Sequence, residues 1–139
     1  MTVELLQLIE KYDTASGASA IAEALGAVIA YCDLNAENER GLQYLEKAKD
    51  LLDATTERLH LFSLYTAMGN ISTRTGKYSD AIEYHRQAYE VANTKKNERE
   101  CSLSYYNLGI VYYYLGEYPT ALEHIYTSLS YDVNWTAPD

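Results

Sequence analysis

Proline is nearly missing from this chain. Pro119 and Pro138 are the only two in 139 residues, so no ring of that kind breaks a helix anywhere before residue 119. Phenylalanine and tryptophan are scarcer still, one of each against fifteen tyrosines. Aromatic packing here therefore carries a hydroxyl nearly everywhere, within reach of water or of a partner. Basic residues are outnumbered 11 to 20, for a net charge of −9, which disfavours nucleic acid and anionic membrane as partners. The one basic cluster, Lys95 and Lys96, is followed at once by Glu98 and Glu100. Cys32 and Cys101 are the only cysteines and form no CxxC; they read as small apolar helix residues of a reduced protein. No apolar run approaches the roughly 18 residues of a membrane span. The N-terminal "MTVELLQLIEKYD" carries acids where a secretory leader carries bases. The expected location is cytoplasmic.

Catalytic signatures are missing too. There is no HExxH, GxSxG, phosphate loop or dinucleotide fingerprint. His85 and His124 stand beside acids without metal-ligand spacing, and His60 reads as an incidental surface or interface residue. The acids of "NAENERGLQYLEKAKD" alternate with bases, as on a solvated helix face. The expectation is a non-enzyme with no catalytic residue, no metal and no cofactor.

What the chain does contain is a repeat. "GNISTRTGKYSDAIEYHRQA" at 69–88 lies over "GIVYYYLGEYPTALEHIYTS" at 109–128: Gly69 on Gly109, Gly76 on Gly116, Tyr78 on Tyr118 and Ala81 on Ala121, every pair at the same offset. Tyr65 and Met68 fall likewise on Tyr105 and Leu108. A third, degenerate copy lies upstream, where Leu25 and Val28 take apolar places, Gly41 replaces Ala81, and Ala48 matches Ala88. One domain over 1–139 is expected, with an N-terminal helix and turn over 1–21 and repeats at about 22–61, 62–101 and 102–139.

Each repeat reads as two helices. Leu61, Leu64, Tyr65, Met68 and Ile71 are spaced as one helical face. Gly76 ends the first helix as a left-handed C-cap. Ser79 is expected to cap the next helix, and Pro119 suits a first turn. Asn97 with Glu100 has capping-box spacing. About seven helices result, and since a short helix pair cannot bury its apolar face alone, stacked pairs do so. The fold class is all-α, an α-solenoid of antiparallel helix pairs.

The pattern G-x6-G-x-Y-x2-A-x6-A resembles the tetratricopeptide repeat. It is carried by Tyr65, Met68, Gly69, Gly76, Tyr78, Ala81 and Ala88, and again by Tyr105, Leu108, Gly109, Tyr112, Gly116, Tyr118 and Ala121, with Ser128 in the last small place. Ser72 departs from it where Tyr112 has an aromatic, no proline follows Ala92, and the period exceeds the usual ~34. The longer period is similar to that of bacterial signalling proteins in which such a region precedes an output domain. The resemblance implies a right-handed superhelix with a concave groove. In it Tyr112 packs with the signature face, while Tyr106, Ile110, Tyr113 and Tyr114 line the groove. One repeat earlier the groove residues are Thr66, Asn70, Thr73 and Arg74. Asn70 matches the place where many members hold a ligand backbone, and Arg74 suits a carboxylate. The basic clamp of some members is missing, since Thr66 and Tyr106 stand where lysine is expected. The plain alternative is that the tyrosines pack on neighbouring helices and that Asn70 and Arg74 are solvated.

At the C-terminal end Ile125, Leu129 and Val133 leave an apolar face open, and the lone Trp135 follows. That face either meets a partner or a second copy, or belongs to a longer protein. The implied function is binding of a protein or peptide segment in the tyrosine-lined groove. The alternatives are an oligomerisation or regulatory region of a bacterial signalling protein, such as a diguanylate cyclase or histidine kinase, acting as a homodimer through Ile125, Leu129 and Trp135, and a sensor of a small molecule or signalling peptide.

Overall fold

The computed structural model describes residues 39–41, 43 and 61–131. Four helices follow one another: α1 (Leu61–Arg74), α2 (Tyr78–Thr94), α3 (Glu98–Tyr114) and α4 (Tyr118–Ser130). Residues 39–41 and 43 are helical as well, and Gly41 is buried among them. Against the about seven helices expected from the repeat, the described residues hold these four and that short stretch. The N-terminal helix of 1–21 and most of the first repeat lie outside the described residues, as do Cys32, His60 and Trp135.

The pairs α1–α2 and α3–α4 are the two tightest associations, and α2–α3 joins them. Every described helix is thus antiparallel to its neighbour, and the chain climbs as a stack of hairpins. Small residues set the spacing within each pair. A Cβ on Gly69 would stand 2.5 Å from the ring of His85 on α2, and one on Gly109 would stand 2.7 Å from Ile125 on α4. The same close approach therefore recurs one repeat on, with a different side chain received each time.

All three connections are three residues long and share one hydrogen-bond pattern. After α1, Gly76 N–H donates to Thr73 O (3.2 Å) and Lys77 N–H to Ser72 O (2.8 Å). After α3, Gly116 and Glu117 donate in the same way to Tyr113 O and Tyr112 O, both at 3.0 Å. This is the Schellman closure, which satisfies the last carbonyls of a helix by placing one residue in the left-handed region. Gly76 (φ 77) and Gly116 (φ 79) take that position without steric cost. Between α2 and α3 the position falls to Lys96, at φ 57, with the same two bonds from Lys96 and Asn97.

Helix starts differ in quality. Asn97 caps α3, its side chain accepting from Glu100 N–H at 3.0 Å, as its spacing predicted. α2 begins one residue before the expected cap: Lys77 holds the cap position without a side-chain bond, and Ser79 lies inside the helix. Pro119 sits in the first turn of α4, where its missing N–H costs nothing.

The core runs through the hairpins as Leu64, Met68 and Ile71 on α1, Ala81, Ala88 and Ala92 on α2, and Leu108 and Val111 on α3. At the seam where the hairpins meet, Leu61 and Phe62 gather with Ala88, Val91, Ala92 and Cys101, flanked by Tyr65, Tyr89, Leu103 and Tyr131. Tyr89 meets Tyr105 edge-on at 5.0 Å between ring centres, a favoured aromatic geometry. Within the second hairpin, two buried serines bond reciprocally. Ser102 Oγ donates to Ser128 O (2.9 Å), and Ser128 Oγ to Ser102 O (2.7 Å).

Candidate functional site

The C-terminal halves of α1 and α3 stand on either side of the beginning of α2, and a cleft of about 490 Å³ opens there. α1 supplies Asn70, Thr73 and Arg74, which at i, i+3 and i+4 share one face. α3 supplies Asn107, Ile110 and Tyr114, again one face at i, i+3 and i+7. α2 contributes Tyr78 from its first turn and His85 two turns later. Tyr78 and Tyr114 lie parallel across the junction of the hairpins, ring centres 6.3 Å apart and planes within 4°. Thr73 is fixed by its own helix, its hydroxyl donating to Gly69 O at 2.8 Å.

His85 is the unusual member of this set. Its ring is 1% exposed, and the edge formed by Cε1, Nε2 and Cδ2 lies against Gly69. The other ring nitrogen, Nδ1, is buried with no hydrogen-bond partner. Burial penalises the charged imidazolium and lowers the pKa to about 4. At neutral pH the ring is therefore uncharged. Among the described residues that line the cleft, Arg74 carries the fixed charge, and none is Asp or Glu.

Of the groove residues expected from sequence, Asn70, Thr73, Arg74, Ile110 and Tyr114 come together in this cleft. Thr66 and Tyr106 are half-buried and do not line it. Tyr113 does not line it either; it is exposed and packs with Tyr118 (5.6 Å) and Tyr114 (5.8 Å) in an aromatic knot at the α3–α4 corner. Tyr112 is half-buried, its ring 5.0 Å from His124 of α4. His124 Nδ1 is itself engaged with Thr120 O at 2.8 Å. The three consecutive tyrosines thus divide into one packing ring, one member of the corner knot, and one that joins knot and cleft.

Three cleft residues escaped the sequence reading: Tyr78, His85 and Asn107. His85 had a signal, for it falls on the apolar stripe of α2 with Ala81, Ala88 and Ala92, and it takes the place in its repeat that Ile125 takes in the next. Of the C-terminal residues named from sequence, Ile125 turns into the hairpin against Gly109. Leu129 is exposed, and Leu122 and Tyr126 on the same helix are exposed with it. Cys101 is buried with a free thiol, and its burial raises its pKa. Among the described residues no three His, Cys, Asp or Glu side chains converge as metal ligands do, and no helix is long and apolar enough to cross a membrane.

The arrangement offers hydrogen-bond donors, two parallel rings, one guanidinium and an aliphatic wall. Such a set has the chemistry to hydrogen-bond and to stack. A family model described as "Tetratricopeptide repeat" matches residues 60–132, a span that holds α1 to α4. No curated protein matches the chain.

Proposed function

This chain belongs to the tetratricopeptide-repeat family, whose members are protein–protein interaction modules, and from that premise we propose that it docks a protein or peptide segment in the cleft between α1 and α3. The observation that carries the reading is the convergence of Asn70, Thr73 and Arg74 from one hairpin with Ile110 and Tyr114 from the next. A cleft of about 490 Å³ is the size of a small-ligand site, so it holds one or two side chains of a longer segment. The amides of Asn70 and Asn107 offer paired donors and acceptors to a peptide backbone. Ile110 and the rings of Tyr78 and Tyr114 supply apolar area at low cost in side-chain freedom.

The test is selection of a displayed random-peptide library on the chain, followed by binding to an Asn70→Ala/Tyr114→Ala variant with helicity checked by circular dichroism. Selected peptides are expected to lose about tenfold or more in affinity. Peptides that bind the folded variant as tightly as the wild type would place recognition elsewhere.

One observation favours a second reading, self-association. Leu129 holds the place in its repeat that Tyr89 holds in the one before. On α2, Tyr89 holds α3 through Tyr105. On α4 the corresponding face, with Leu122, Tyr126 and Leu129, is exposed.

A further inference from the structure

We propose that the aromatic knot at the α3–α4 corner is a docking surface for a basic segment of another protein, whose arginine side chains lie on the rings of Tyr113 and Tyr118 beside the carboxylate of Glu117. None of these three residues lines the cleft, so the inference stands apart from the docking reading above.

The corner is open and aromatic. Tyr113 is 57% exposed, Tyr118 60%, and Leu115 between them in sequence 43%. The two rings are 5.6 Å apart between centres, and Tyr113 lies 5.8 Å from Tyr114, so the rings are gathered before anything binds. That lowers the ordering cost of association. Each ring offers a face of negative potential that attracts a cation, and the planar guanidinium stacks on such faces. Glu117 is exposed in the turn between the two helices. Its backbone is held on both sides, its N–H donating to Tyr112 O at 3.0 Å and its carbonyl accepting from Ala121 N–H at 2.9 Å. Its side chain makes no capping bond, so the carboxylate is not spent on the start of α4. The end of α3 and the start of α4 meet here with opposed dipoles, which leaves the local sign to Glu117.

The charge of the partner follows. Beyond Arg99 the sequence contains no lysine or arginine, while residues 101–139 hold eight tyrosines, Glu117, Glu123 and two aspartates. After its first turn the α3–α4 hairpin thus has no base of its own to lay on these rings. Arg74 belongs to the cleft with Tyr78 and Tyr114, and Lys77 to the turn before α2. Near the other end of α3 the chain shows what completes such a set. Lys95 Nζ stands 6.0 Å over the ring of Phe62 and 2.9 Å from Glu100 Oε1, a cation held between a ring and a carboxylate. At the α3–α4 corner rings and a carboxylate recur, and a partner brings the cation. The net charge of −9 draws a basic segment in from longer range. Arginine suits the place better than lysine, because its fork meets a carboxylate while its plane lies on a ring.

The experiment follows the tyrosine rings by NMR on the full chain labelled with ¹³C-tyrosine. The probes are N-acetyl-tetra-arginine amide, its tetra-citrulline counterpart, in which neutral urea groups replace guanidinium, and spermine. With tetra-arginine the Tyr113 and Tyr118 resonances are expected to move saturably, and with tetra-citrulline to stay in place. Raising salt from about 20 to about 200 mM is expected to weaken binding by about tenfold. Tyr113→Leu/Tyr118→Leu keeps apolar area without the ring faces and is expected to lose about fivefold or more in affinity. Glu117→Gln is expected to lose about threefold or more. Glu98→Gln, which removes the same charge from the first turn of α3, is expected to bind as the wild type does.

Unmoved rings of Tyr113 and Tyr118 overturn the proposal. So does equal binding of tetra-citrulline, or undiminished affinity in the leucine pair. Equal losses in Glu117→Gln and Glu98→Gln would reduce the effect to attraction by net charge and overturn the site. Spermine bound as tightly as tetra-arginine would assign the corner to a free polyamine and overturn the protein segment. If the leucine pair loses helicity by circular dichroism, Glu117→Gln still decides, since it keeps both rings and the backbone bonds of the turn.

Discussion

His85 carries the clearest consequence of a single side chain. In the unfolded chain an imidazole takes up its proton near pH 6.5, whereas in the fold burial delays this to about 4. Between those values the unfolded state binds more protons, so stability falls as pH drops through the window. The full loss is roughly 3 kcal/mol for a shift of this size. Carboxylates elsewhere titrate in the same range, so the clean measure is a difference. His85→Ile is expected to be more stable than wild type at pH 7, and its advantage should grow by about 2–3 kcal/mol by pH 4.5. Urea unfolding at several pH values reads this directly, and a pH-independent difference would mean the ring is not buried neutral. The sequence hid this residue because burial of His85 depends on Gly69 one helix away. Its neighbours Glu83 and Arg86 are exposed and draw attention to a charged surface. Only the match with Ile125 marked it as interior.

The helices show which signals are local and which are not. Gly76, Gly116 and the Asn97–Glu100 spacing were legible because a cap is decided within a few residues. The cap of α2 was misread, since Ser79 is the better capping residue while the Schellman closure fixes where the chain can turn back, and that leaves Lys77 at the start. The groove-facing stripe on α3 was harder still. Sequence periodicity supplies two adjacent stripes, one through Tyr106, Ile110 and Tyr113 and one through Asn107, Ile110 and Tyr114. Only the packing of α2 against α3 decides that the second lines the cleft. The turn after α2 carries its own prediction. Lys96 occupies a left-handed position that glycine fills in the other two turns, and a side chain there costs about 1 kcal/mol. Lys96→Gly is expected to raise stability by about 0.5–1 kcal/mol, seen as a higher urea midpoint at unchanged slope. A lower midpoint would show that the lysine side chain contributes more than its backbone costs.

Taken whole, the described molecule is a stack with unequal ends. α3 is held by α2 on one side and α4 on the other, while α4 packs only on α3 among the described helices. It turns Leu122, Tyr126 and Leu129 outward. A solenoid face of this kind is stabilised when a further helix covers it, and a second copy is one source of such a helix. Sedimentation equilibrium is expected to show mass rising with concentration for the wild type and constant monomer mass for Leu122→Glu/Leu129→Glu. Those substitutions at exposed positions should change stability by no more than about 0.5 kcal/mol each. An unchanged association curve in the variant would clear α4 of the role. The stack also contains its own clock. Cys101 sits in the seam between the hairpins, beside Leu61, Phe62, Ala88 and Val91, and burial holds its thiol in the unreactive protonated form. An alkylating reagent can reach it only while the hairpins are parted. Its rate of modification, followed by mass spectrometry at that one cysteine, therefore counts how often the seam breathes without a cysteine being introduced by substitution.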